Sequence, residues 1–170
     1  MNKGKYLIVF NLIAVILLYV PKICYTQPNV NISAGIGILE LVNAGFKLQW
    51  EQVQTGAYIG AMQFGDEKIF SLGGDLYFHF GDTVKYTSTK PWYVRTGISY
   101  FSDAFPHSKD KLTFLNFRFG RDLNISPKVG IDVELGTLIK LSHKVIEGEP
   151  FFLFDLPIWP AIGACIFFRL

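Results

Sequence analysis

Nine charged side chains share a placement that could do chemistry. Lys47, Glu51, Asp75, Arg95, Arg118, Asp132, Glu134, Lys140 and Arg169 all fall on the polar parity of stretches that alternate apolar with small or polar residues. A period of two puts such residues on one face of an extended chain. Five of the nine are basic and four are acidic. Charges gathered inside a narrow barrel must be paired or wetted. Paired, they form a plug of salt bridges; wetted, they line a path for ions. For a barrel of about eight strands, whose interior side chains just fill, the plug is the expectation. His79 shares a face with Asp75, a spacing that serves a proton relay or, more simply, a hydrogen-bonded interior histidine.

A second set lies outside the alternating stretches. His107, Ser108 and Asp110 fall in one segment; Ser142, His143, Glu147 and Glu149 fall in another. Serine, imidazole and carboxylate together can support acyl transfer or hydrolysis, provided that the fold brings them into reach. The run Phe151-Phe152-Leu153-Phe154 reads either as an apolar contact site on a loop or as an early start to the last strand. No pattern for a metal or a cofactor is present, and none is expected.

The elements that must position these residues are eight strands, at 30–38, 42–51, 53–62, 70–80, 92–101, 112–120, 129–141 and 158–170. Each is about ten residues, the length of a tilted strand that crosses a bilayer. No helical period competes over a comparable window. One face of each strand carries no charge, and charge there would cost about 2–4 kcal/mol at a bilayer midplane. The other face is rich in Gly, Ser, Asn and Tyr, with few charges. A soluble barrel washed by water outside would carry many more Lys and Glu. The pattern therefore predicts an all-β, eight-stranded antiparallel up-and-down barrel with its apolar face turned to lipid. Trp50, Phe80, Trp92, Phe119 and Phe168 fall near strand ends on that face and predict an aromatic girdle at one interface. The links toward the other end are expected near Glu40 and Asp66 and at 102–111 and 142–157. Those on the girdle side are Gln52, 82–90 and 122–128.

The first residues read differently. Lys3 and Lys5 precede an apolar run of about fifteen residues that Pro21 ends, and Cys24-Tyr25-Thr26 offers a cleavage site. This predicts a secretory signal peptide at 1–26 and a mature barrel domain at 27–170. Lys3, Lys5 and Lys22 leave with the leader, so 13 basic side chains face 14 acidic ones. No basic stripe argues for nucleic acid. Cys165 remains as a single cysteine, which makes neither an internal disulfide nor a zinc site.

The final strand is the most telling. Ile158, Pro160, Ile162, Ala164, Ile166, Phe168 and Leu170 alternate with Trp159, Ala161, Gly163, Cys165, Phe167 and Arg169. It resembles the C-terminal strand of bacterial outer-membrane barrels, and the whole mature chain resembles the small eight-stranded members, the OmpA/OmpX-like and opacity-protein-like superfamily. The resemblance implies a monomer in the outer membrane of a Gram-negative cell, among outer-membrane lipid and lipopolysaccharide. It implies that Ile166, Phe168 and Leu170 act as the signal read by the barrel-assembly machinery. It further implies a non-enzymatic surface protein with a structural, adhesive or interaction role through its outer loops. A lipid A-modifying hydrolase or acyltransferase, or a narrow solute channel, is the alternative. The His-x-Ser-Asn pattern of the deacylases is absent, since Ser108 follows His107 directly.

Overall fold

Eight strands follow one another around a closed barrel: β1 (Asn29–Gly37), β2 (Leu41–Trp50), β3 (Val53–Phe64), β4 (Glu67–Phe80), β5 (Trp92–Phe105), β6 (Ser108–Asn124), β7 (Val129–Glu147) and β8 (Ile158–Arg169). The computed structural model describes residues 29–106, 108–147 and 156–170. The leader at 1–26, His107, Glu149 and the Phe151–Phe154 run lie outside the described residues. Every neighbour pair is antiparallel, and β1 closes on β8 from Asn31↔Arg169 to Gly37↔Gly163. Closure pairs both edges of every strand, which is what a sheet needs in lipid.

Alternation decides which side faces where. Ile32, Val42, Phe46, Leu72, Leu76, Ile98, Phe117, Leu135, Ile162 and Ile166 are exposed on the outside. Lys47, Asp75, Arg95, Asn116, Arg118, Asp132 and Glu134 are buried inside. A soluble barrel has the opposite arrangement. An apolar sheath all round suits lipid rather than water. We call the end that holds both ends of the chain's barrel, Asn29 and Leu170, the base, and the opposite end the rim.

Glycine on the inner face makes room for rings. Tyr58 lies over Gly73, Tyr93 over Gly120 and Phe167 over Gly130, each pair being direct cross-strand partners. A Cβ at any of these glycines would collide with the ring. Aromatic–glycine pairs thus fill the lumen without spreading the strands.

Three features depart from the expected layout. First, the strands are longer at the rim: β5 reaches Phe105, β6 begins at Ser108 and β7 reaches Glu147. Most of the link expected at 102–111, and residues 142–147 of that expected at 142–157, are therefore strand. Beyond the bilayer both faces meet polar surroundings, so the backbone ladder continues without apolar alternation to announce it. Second, the register of β6 with β7 slips between Phe114↔Lys140 and Thr113↔Ser142, leaving Leu141 as a bulge. The bulge flips the parity of Ser142 to Val145 and turns His143 inward beside Leu112, before a second shift at Ile146.

Third, the β1–β2 turn folds into the barrel instead of out of it. Leu39 and Leu41 take positive φ (79° and 61°), a strain of about 1–3 kcal/mol each. Leu39 is buried with Leu41, Phe101, Leu112, Phe114, Leu138 and Ala161 in an apolar layer below the rim. Burying a leucine contributes about 1.5–3 kcal/mol, which offsets much of that strain. At the base, the 82–90 link is ordered by a Val84↔Thr87 bridge. Gln52 ties it down, accepting from Lys90 N (3.0 Å) and donating to Ser88 O (3.2 Å).

Candidate functional site: the charged interior and the rim

Below the apolar layer the inner faces of five strands and one turn meet in a charge cluster. Arg95 on β5 reaches Asp75 on β4 (2.7 Å), Glu134 on β7, and Glu40 of the β1–β2 turn (3.2 Å). Arg118 on β6 reaches Glu134 (2.8 Å) and Glu40 (2.5 Å). Lys47 on β2 pairs with Asp132 on β7 (2.6 Å). Neutral groups add to the shell. Tyr93 donates to Glu134 Oε2 (3.1 Å), and Asn116 donates to Asp75 Oδ1 and to Ser99 Oγ (both 3.0 Å). Tyr77 lies under both Lys47 (4.8 Å) and Arg95 (5.5 Å), a favourable contact for a desolvated cation.

The cluster leaves little empty space. Beside Glu40, Lys47, Arg95, Glu134 and Cys165 there is a cavity of about 20 Å³, enough for roughly one water. Arg118, Phe114, Leu112 and Leu138 are fully buried across the lumen. Chemically, such an interior can hold charge in balance and lock strands to one another.

Of the nine charges singled out by parity, Lys47, Asp75, Arg95, Arg118, Asp132 and Glu134 meet here. Three do not. Glu51 is exposed in the β2–β3 turn with φ of 51°, because the strand ends at Trp50 and parity no longer applies. Lys140 is half-buried two inward-facing levels above Arg118, opposite Phe114, at the apolar layer. Arg169 stays at the base, donating to Pro127 O (3.2 Å) and Asn124 Oδ1, because β8 ends there. His79 does not face Asp75 as a relay partner: its Nδ1 meets Lys90 O at 3.0 Å. Glu40 escaped the sequence reading. Its signal is the Leu39-Glu40-Leu41 triplet: apolar residues flank the acid where an exposed turn would carry Gly, Asn or Asp.

The aromatic positions lie on the outer face toward the base. Phe80 and Trp92 are cross-strand partners, and Phe119 packs on both, at 5.9 Å and 5.1 Å between ring centres. β6 continues past Phe119 to Asn124, and Phe119, the cross-strand partner of Val94, reaches Trp92 diagonally. Trp50 ends β2 next to Val53, and Phe168 faces Val129 and Ile32. Ile166, Phe168 and Leu170 are exposed on the outside of β8 and at its end. Cys165 points inward, half-buried, with Sγ 4.0 Å from Asn43 Oδ1.

At the rim, Asp103 and Asp110 are buried and directly opposed across β5 and β6. The bulge at Leu141 brings His143 Nε2 to 2.7 Å from Asp110 Oδ1, and Ser108 Oγ stands 3.5 Å from Asp110 Oδ2. The carboxylate thus sits between serine and imidazole. A hydrolytic triad needs the imidazole in the middle, where it can take the serine proton. Side-chain placement of Glu147 is not described. Among the described residues no group of three or more His, Cys, Asp or Glu is placed to hold a metal ion.

No protein-family profile matches the sequence, and no curated protein does. Solved structures do. The N-terminal β-barrel domain of Pseudomonas aeruginosa OprF aligns with a TM-score of 0.57 at 13% identity, over 85% of this chain and 97% of that one. Neisserial surface protein A (NspA) aligns with a TM-score of 0.48 at 11% identity, over 85% of this chain and 96% of that one. The OprF likeness, with the closed ring β1 to β8, gives the chain the fold of the small eight-stranded outer-membrane β-barrels.

Proposed function

We propose that this protein is an integral outer-membrane barrel with a closed lumen, acting at the cell surface through its rim rather than by catalysis or transport. The observation that carries this reading is the Arg95–Arg118–Glu40–Glu134–Asp75 cluster under the Leu39–Phe114–Leu138 layer. An interior spent on mutual pairing has no row of groups free to pass ions. With the base in the periplasm, the extended β5–β7 strands stand clear of the bilayer and offer the surface for structural or adhesive contact. In that orientation Ile166, Phe168 and Leu170 serve as the recognition strand during assembly. Protein reconstituted in planar bilayers should show negligible conductance, and cells displaying it should gain attachment to a surface or partner that cells lacking it do not. A steady channel would return the lumen to the transport reading.

One observation favours a second reading. Asp110 and His143 form a preorganised pair on the inner face of the rim. Serine already lies nearby. If the pair acts on lipid A, His143→Ala abolishes a change in lipid A mass that wild-type cells show. Unchanged lipid A in wild-type cells removes this reading.

A further inference from the structure

The outer faces of β4, β5, β6 and β7 change character row by row toward the rim. Gly74, Ile98 and Leu115 form one row of cross-strand partners. Leu72, Tyr100, Thr113 and Ser142 form the next. Phe70, Ser102, Lys111 and Lys144 follow, and Lys68 and Lys109 then flank Ala104, with Glu147 opposite Lys109 on β7. From Leu115 to Lys111 is about 13 Å of strand. Over that length apolar contact gives way to hydroxyl groups and then to ammonium groups. Acyl chain, ester and sugar oxygens, and phosphate succeed one another in the same order and over a similar distance.

Two details sharpen the match. Lys111 and Lys144 are direct partners in the β6–β7 ladder, and like charges so placed repel. Neither takes part in an ion pair among the described residues. The rim carboxylates Asp103 and Asp110 cannot help, because they have the opposite parity and point inward. An anion from outside would relieve the repulsion. Toward the bilayer centre, the lipid face has a depression of about 400 Å³ lined by Gly74, Leu76, Thr96, Ile98 and Leu115. It opens where Gly74 lacks a side chain.

We propose that this face binds a phosphate-bearing lipid of the leaflet around the rim. The phosphate sits between Lys111 and Lys144, with Lys68 adding charge above. Tyr100, Thr113, Ser102 and Ser142 meet the headgroup, and an acyl chain lies in the depression at Gly74. The inference rests on the membrane-barrel reading above.

The test uses the folded protein in neutral detergent and bisphosphorylated lipid A as the probe. Binding is read as retained lipid in native mass spectrometry and as a rise in the temperature at which the folded gel band disappears. Lipid A should bind, and its dephosphorylated form should bind much more weakly. K111A/K144A should weaken lipid A binding about thirtyfold. K111R/K144R should bind as wild type does, and K85A/K90A at the base should also be unchanged. Equal retention of phosphorylated and dephosphorylated lipid by wild-type protein overturns the phosphate site, whatever the variants do. Protection by inorganic pyrophosphate at the same concentration as lipid A overturns the lipid assignment, since the depression would then contribute nothing. A folded, heat-modifiable barrel without lipid preference refutes this inference alone; loss of heat-modifiable mobility in the wild type would refute the barrel reading beneath it.

Discussion

Replacing Arg118 by methionine tests the interior most directly. The guanidinium is fully buried and bridges Glu40 at 2.5 Å and Glu134 at 2.8 Å. Arg95 touches the same two acids and Asp75 as well. Two guanidinium groups thus serve three carboxylates. Methionine keeps much of the volume, so the change is chiefly one of charge. Arg95 is then left to serve three acids alone. Removing one partner of a buried pair costs about 3–5 kcal/mol. With a urea dependence of about 2 kcal/mol per molar, the unfolding midpoint should fall by about 1.5–2.5 M. Glu40→Gln removes one of the surplus charges, so adding it to Arg118→Met should recover part of the loss, a coupling of about 1–3 kcal/mol. The assay is urea unfolding of protein refolded in detergent, followed by tryptophan fluorescence and gel mobility together. A fall below about 0.5 M, or strict additivity of the two substitutions, would refute the reasoning that these residues form one coupled cluster.

Other consequences are cheaper to check. Leu39→Ala should destabilise by about 2–5 kcal/mol although the residue lies in a turn, because it empties part of the buried apolar layer; a midpoint unchanged in urea would mean that the turn does not pack inward. Cys165 should react slowly with a membrane-impermeant thiol reagent in the folded protein and quickly after unfolding, since its thiol is half-buried on the inner face. Rapid labelling of intact cells would show an open lumen or a register displaced by one residue. Replacing Phe168 and Leu170 by Asp costs only about 0–1 kcal/mol each near the interface, so a severe assembly defect would report lost recognition of the last strand, and normal assembly would end that role.

Much of this protein is written in its alternation. Which residues face in and which face out follows from the backbone alone, because a pleated strand has a period of two and lipid admits no charge on its side. Lys47, Asp75, Arg95, Arg118, Asp132 and Glu134 could therefore be assigned to the interior, and Phe80, Trp92 and Phe119 to the exterior, before any contact was known. The number of strands and their closure into a ring follow from the same constraint. What parity cannot express is height along the barrel and where a strand stops. Lys140 and Arg169 have the inward parity, yet one lies at the apolar layer and the other at the base, because tilt and stagger decide which levels meet. Glu51 shows that parity fails once the strand has ended. Glu40 joins the cluster only because burial of Leu39 and Leu41 in the apolar layer offsets the strain of the turn, a balance between distant parts of the chain. His143 meets Asp110 only because one extra residue, Leu141, bulges from the ladder, and a bulge depends on the partner strand as much as on its own sequence.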